Sequence, residues 1–535
     1  LVLVDAVASG KDGKPISGLT VKDFRVFEDG KEQKIAVFHE ELTARRPEPP
    51  APLPPNVYTN QPAYHPASGP LTVILLDSLN TPLFSQSRAR MALIKYLAGL
   101  LKQGQPVAIL SLTNHLTVLQ DFTTSRHLLL AAAKKFAPGE TRAMAVREEM
   151  TSRAKDNEYL NVLQMARACD NCAALVEFYQ DLKAIDRHIL TASDQQRAQL
   201  TAQALQNIAN ALAGYPGRKN LVWLSESFPS LYPGGPKLKL AWSVESQLHR
   251  AADLLNEARV AVYPVDARGL TTNVKPGPNE VQWAEISQGS QYESSPNHDL
   301  DWQRQVRSSM YNLFTSQQTM RSVAQATGGL AFFNSNDITH AIAAAAADSS
   351  DSYLIGYYPS DRNWNGKFRR ITVKLARPGL RLRYRRGYYA LPGFEGAETK
   401  PEKPAKERIQ AALLDPLPAT AVLFRVQAPP PGPKGQVKGR ILLPGSSVTL
   451  GKSCDVNLSF RVAALTPAGK IAQERGNDLR RRLSDKQCSA VRKGGLVFHF
   501  ALSLKPGSYQ LEFLARDNHS GAVGRVDVPV QIKSQ

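Results

Sequence analysis

Hard oxygen donors gather at three places in this sequence where the chain is turning. Asp77-Ser78-Leu79-Asn80-Thr81 follows the apolar run LTVILLD (71–77). Pro138-Gly139-Glu140-Thr141 follows a helix-patterned stretch, and Ser225-Glu226-Ser227 ends RKNLVWLSES (218–227). Carboxylates, hydroxyls and a side-chain amide suit Mg²⁺, Mn²⁺ or Ca²⁺ and not a soft metal. The candidate ligands lie among these three segments. Each also has an ordinary structural use. Asp77 can cap the helix that follows it, the threonines can be turn hydroxyls, and Glu226 can be a solvated charge. What favours the cation is their joint placement on three loops.

Other chemistries find little support. WLSES is not the GxSxG nucleophile elbow, and neither a Gly-rich P-loop nor a dinucleotide fingerprint is present. The ten histidines show no HExxH spacing. His115 stands just past a strand at the same edge, but catalysis needs a partnered geometry that a lone loop histidine lacks. Cys169 and Cys172 form a CxxC pair without thioredoxin-like flanks, and no second CxxC exists to complete a zinc ribbon. A disulfide staple is the better reading of that pair. Cys454 and Cys488 lie in strand-rich sequence where they can bridge neighbouring strands, and the even count suits an oxidising compartment. The expectation is a protein that is not an enzyme.

The elements that must position the donors alternate. Buried-strand runs at 71–77, 106–112, 218–224 and 259–266 are separated by helix-patterned segments at 87–102, 125–136, 142–213 and 244–258. A short strand is expected at 116–122, helix 316–327 leads into a strand at 328–334, and a final helix centres on 338–348. Strand–helix alternation of this kind implies a doubly wound parallel sheet over 71–349. Its ligands bind beyond the carboxyl ends of the strands, which is where the three donor groups fall. Residues 1–44 alternate in β fashion around an EDGK turn, as do 350–392. The proline-rich stretch 45–70 reads as a stiff exposed linker, and 393–407 as a second linker. Residues 408–535 carry short alternating segments with Gly/Pro turns, the pattern of an Ig-like β-sandwich.

At 535 residues the chain is too long for one core. Lys and Arg outnumber Asp and Glu by 66 to 47, a net charge of +19 that draws the chain towards anionic partners, an anionic cell-envelope surface among them. The basic residues are dispersed, with short clusters at 381–386 and 479–482 and no interleaved stacking aromatics. No specific nucleic-acid partner is expected. No run approaches the ~20 apolar residues that span a bilayer. Leu1 already stands in strand pattern, as expected where a leader has been removed or where the sequence is cut from a longer one.

LLDSLNT and the GET loop resemble a von Willebrand factor A (VWA) domain with its metal-ion-dependent adhesion site. That resemblance places the DxSxS aspartate on Asp77, its second serine on Thr81, the loop threonine on Thr141 and the closing acid on Glu226. The first serine falls on Leu79, which cannot ligate, although Asn80 beside it can. Glu226 is longer by one methylene than the usual aspartate. DFRVFEDGKEQKIAVF, LIGYYP and GKFRRITVKLARPGLRLRYRRGYYA are similar to the VWFA-related proteins of Acidobacteria, over roughly three quarters of the chain. The resemblance implies export, to the periplasm or cell surface. It also implies that 1–44 and 350–392 form one β-sandwich into which the A domain is inserted. The function it implies is adhesion, with a divalent cation leaving one position open for an acidic group of a protein ligand. The alternative is a metal-free scaffold of an envelope or extracellular assembly.

Overall fold

Leu71 to Thr81 are buried without a break, because the strand they begin is covered on both faces. The computed structural model describes residues 1–11, 15–42, 50–64, 71–142, 144–146, 149, 173–228, 242–270, 313–314, 316–348, 351–390, 417–451 and 454–533. β6 (Thr72–Asp77) is the middle of a five-stranded sheet with β7 (Val107–Leu112), β8 (Leu116–Thr123), β9 (Lys219–Ser225) and β10 (Val260–Asp266). The order is β10-β9-β6-β7-β8, parallel except for the edge strand β8. Val73, Leu75, Leu221 and Trp223 pack on one side with α3 (Ala173–Leu212) and α4 (Trp242–Glu257). Ile74, Leu76, Val222 and Leu224 pack on the other with α1 (Leu83–Lys95), α2 (Arg126–Lys135) and α5 (Ile338–Ala347). Two covered faces explain why these strands read as continuous apolar runs.

The stretch expected as a strand at 328–334 contributes only one parallel bridge, Val265 to Phe332. Gly328 and Asn334 both take positive φ, which turns the chain away at either end. Cys169 and Cys172 lie outside the described residues.

β1 (Val2–Ser9), β2 (Phe24–Glu28), β3 (Lys31–Gln33) and β4 (Ile35–Leu42) interleave with β11 (Asp351–Tyr357), β12 (Phe368–Leu375), β13 (Arg381–Tyr384) and β14 (Gly387–Tyr389). Two four-stranded sheets result, β13-β1-β11-β4 and β14-β12-β2-β3. Val4, Phe24, Val26, Tyr353, Ile355 and Tyr357 are among their shared core. Asp29 and Gly30, at φ 46° and 85°, make the β2–β3 turn that the Asp-Gly pair announces.

The C-terminal unit holds a surprise in its membership. Its sheets are β19-β16-β15-β5 and β18-β17-β20-β21. The strands are β15 (Arg425–Gln427), β16 (Gln436–Leu443), β17 (Asp455–Leu465), β18 (Ile471–Arg482), β19 (Leu496–Ser503), β20 (Gly507–Asp517) and β21 (Val523–Ile532). β5 (Val57–Thr59) comes from the stretch read as an exposed linker, and it pairs antiparallel with β15. Asn60 follows it into the interior. Its amide donates to Ala419 O and Val422 O at 2.8 Å each and accepts from Phe424 N at 3.0 Å. The proline-rich segment is therefore partly an edge strand of the last domain, a position that proline flanks allow. Cys454 and Cys488 are disulfide-bonded with Cα atoms 6.1 Å apart. The bridge does not join two strands as expected, because Cys488 lies on α6 (Asp485–Gly494), which it pins to the start of β17.

Polar contacts join the three bodies. Thr420 N donates to Asn210 O and its hydroxyl to Ala211 O, closing the last turn of α3. Arg259 reaches from the start of β10 to Asp5 on β1 and Glu41 on β4. On α4, Asp253 accepts from Tyr389 N at 3.3 Å. Burial, and then the neighbouring Glu257, push the Asp253 carboxyl up to about 7. A carboxyl whose pKa rises on folding favours the native state at low pH, and that advantage is lost as pH climbs from about 4 towards 7. Asp253→Asn is therefore expected to gain about 2 kcal/mol at pH 8 and almost nothing at pH 4. Urea unfolding at the two pH values measures it, and an equal effect at both would refute the burial argument.

Candidate functional site

The carboxyl edge of the five-stranded sheet does bring the first and third donor groups together, but the donors face one another. Asp77 is 3% exposed. Its Oδ1 accepts from Asn80 N at 3.0 Å, and its two oxygens accept from Asn80 Nδ2 at 3.2 and 3.0 Å. The indole Nε1 of Trp223, one strand away, donates to Oδ2 at 2.9 Å. Burial raises the Asp77 pKa above the ordinary carboxylate value, and the bonds from Asn80, Trp223 and Ser225 oppose that rise. Asp77 does not cap the following helix, whose N-cap position is Pro82.

Asn80 donates onward to Thr201 Oγ1 on α3 at 3.0 Å. Its amide orientation is dictated by its neighbours, because a flip would set its oxygen against the Asp77 carboxylate. Thr81 Oγ1 accepts from Glu226 N at 3.2 Å and meets Ser225 Oγ at 3.4 Å, tying the first loop to the end of β9. The Glu226 carboxylate accepts from Ser85 Oγ on α1 at 2.7 Å. Thr141 receives Met144 N on its hydroxyl at 3.3 Å and so starts a helical turn. Its loop is held by a residue that the sequence did not mark. Gln86 Nε2 donates to Thr81 O at 2.7 Å and Gly139 O at 3.0 Å, while its oxygen accepts from Gly139 N at 3.0 Å. His115 sits exposed in the β7–β8 turn.

This donor set does not fit a divalent cation. Such an ion needs carboxylate and neutral oxygens aimed at one point. Here both Asp77 oxygens face N–H groups, Asn80 offers its NH₂, and Leu79 lies fully buried in the core below. Glu226 and Thr141 are engaged elsewhere. Asp77, Asn80, Thr81 and Glu226 instead tie the first and third donor segments into the fold by hydrogen bonds, and Gln86 adds the Gly139 loop.

What the locked loops present is apolar. Leu83 and Phe84 open α1 immediately after the Asp77 loop, and they are 51% and 75% exposed. Ser85, Gln86, Ala89, Ala92 and Leu93 form the buried side of the same helix, so Leu83 and Phe84 stand off it. Leu270 and Phe314 are also exposed. Asn336 Oδ1 joins Leu270 N to Arg88 on α1, and Ser316 Oγ donates to Glu226 O. These contacts hold the segments that carry Leu270 and Phe314 against α1 and the end of β9.

No family model matches the chain, and no curated protein does. Among solved structures, it is similar to an aerotolerance-related membrane protein from Bacteroides fragilis. That match has 11% identity and a TM-score of 0.24, covering 52% of this chain and 98% of the other. A von Willebrand factor type A protein from Catenulispora acidiphila matches at 9% identity and a TM-score of 0.24, over 94% of this chain and 75% of that one. The pilus adhesin SpaC from Lactobacillus rhamnosus GG matches at 7% identity and a TM-score of 0.27, over 86% and 53%. The chain itself is a mixed α/β protein of several sheets, and that much rests on its own strand order.

Proposed function

We propose that this is an exported, non-enzymatic binding protein whose α/β domain engages a protein partner through the loops at the carboxyl edge of its sheet, without a cation. The observation that carries this reading is Phe84, three-quarters exposed on the first turn of α1, directly after a loop whose Asp77 and Asn80 are buried and hydrogen-bonded. A rigid, exposed aromatic beside other apolar side chains is the usual centre of a protein interface. The chain's +19 net charge favours a partner that is acidic around that contact. Carboxyl-edge placement is also where open α/β sheets receive their ligands.

The test compares proteins retained from an envelope extract by immobilised wild type and by Phe84→Asp, each with Mg²⁺ and with EDTA. The expected result is a retained protein lost at least about tenfold in the variant, since an interface anchor is worth 2 kcal/mol or more. EDTA is expected to change nothing. Loss with EDTA would reinstate the cation-dependent adhesion mechanism, and equal retention by the variant would remove the edge from consideration.

A further inference from the structure

One sheet of the C-terminal sandwich is built from strands that contain no aspartate or glutamate. These are β5, β15, β16 and β19. Alternation sends Val437, Ile441, Leu443, Phe500 and Leu502 into the core. It leaves Lys438 and Arg440 on β16 and His499 and Ala501 on β19 exposed on the outer face. The register sets Lys438 opposite Ala501 and Arg440 opposite His499. Between them, over Gly439 and Ala501, runs an open trough of about 440 Å³. Gly439 is fixed by packing, because a Cβ there would fall 2.7 Å from the Phe500 ring.

The cations of this face are not neutralised locally. Among the described residues Lys438 and His499 make no hydrogen bond or ion pair, and Arg440 spends one N–H on Gln427 Oε1 at 2.7 Å. The opposite sheet differs in carrying acids among its cations, with Arg461 paired to Asp478 and Arg525 to Asp527. Lys434 and Lys505 extend the positive strip past one end of the trough, where Leu504 N donates to Gly435 O.

We propose that this face binds an anionic polysaccharide chain, through its carboxylate or sulfate groups. A shallow, open trough cannot enclose a small anion, which calls for convergent donors in a concave site. Successive outward residues on a strand lie about 6.6 Å apart, so Lys438 and Arg440 offer a repeat of charge to an extended polymer. Single-stranded nucleic acid is disfavoured because the one exposed ring of the trough is His499, where successive bases need a row of stacking aromatics. Duplex is disfavoured because a four-stranded sheet is wider than the roughly 12 Å major groove. A protein partner would lack a large apolar anchor, since Val497 is the one exposed apolar side chain of β19 larger than alanine. The backbone between Lys438 and Arg440 and the small Ala501 side chain opposite form a low floor that leaves room for the flat face of a sugar ring.

The experiment titrates the full chain with heparin and with polygalacturonate at about 0.15 M salt, where long-range attraction is screened. Saturable binding is expected to at least one polymer, weakened about tenfold or more in Lys438→Glu/Arg440→Glu. Arg480→Glu/Arg481→Glu removes the same charge from exposed positions on β18, and it is expected to weaken binding less than about twofold. Both pairs are exposed, and thermal melting checks that the variants fold. Equal weakening by the two variants would reduce the effect to net charge and overturn the proposal. So would the absence of saturable binding to either polymer. Tighter binding of oligo(dT) or of poly-glutamate, lost in Lys438→Glu/Arg440→Glu, would assign the face to nucleic acid or to acidic protein instead.

Discussion

Asp77→Ala is expected to lower the stability of the chain by roughly 3–5 kcal/mol, with or without Mg²⁺ present. The substitution removes the acceptor of three buried donors, Asn80 N, Asn80 Nδ2 and Trp223 Nε1. A buried donor without a partner costs about 1–3 kcal/mol, and Asn80 keeps one contact through Thr201 Oγ1. Asp77→Asn is expected to fall about halfway. It keeps an acceptor for Trp223 but turns an NH₂ towards the NH₂ of Asn80. Guanidinium unfolding of metal-stripped protein measures both. A cation bound tenfold below its concentration would add about 1.4 kcal/mol to the wild type. No such gain is expected from Mg²⁺, Mn²⁺ or Ca²⁺, and a gain that vanishes in Asp77→Asn would restore the adhesion site.

The second large effect is expected at Arg259. Its Nη1 and Nη2 donate to the two Glu41 oxygens at 2.7 Å each, and its Nε lies 3.1 and 3.0 Å from the Asp5 oxygens. All three side chains are less than a quarter exposed. Arg259→Ala strands two carboxylates between domains, a loss of roughly 3–5 kcal/mol. Lys219 should soften it. Its Nζ donates to Tyr215 O at 2.6 Å, and burial, followed by the charge of Arg259, pushes its ammonium down to about 7. Removing Arg259 lets Lys219 charge and face Asp5 and Glu41. Lys219→Met alone is therefore expected to be nearly neutral near pH 8, while the double variant loses more than the two single losses combined. Additive losses in a double-mutant cycle would show that the two cations act independently.

The fold was legible wherever one strand or helix carries its own pattern. LTVILLD announces a strand covered on both faces, and Asp29-Gly30 announces its hairpin. β5 was hidden because three residues between prolines show no periodicity, and their partner β15 is remote in sequence. At the candidate site, the sequence placed Asp77, Thr81 and Glu226 on one edge, and the structure joins their loops. It did not disclose what occupies the Asp77 oxygens. Trp223 reads as an apolar core residue, and nothing in a sequence shows where its N–H points. Gln86 is similarly silent. Leu83 and Phe84 were findable, since both fall outside the 85, 86, 89, 92, 93 spacing that buries α1.

The pairing of β1 with β11 and of β5 with β15 also governs the order in which this chain can mature. As it emerges from its N-terminus, β1, β4 and β5 arrive before any strand that completes their sheets. Each must wait, with an open hydrogen-bonding edge, until residues 351–389 and then 425–427 follow. Between those moments the α/β domain has every strand of its own sheet and can close first. Such long-range closure is slow and leaves the hydrogen-bonding edges of the early strands open while the chain is incomplete. A cut anywhere between residues 59 and 425 would leave the last sheet without its outer strand, which makes the C-terminal unit a poor candidate for expression by itself.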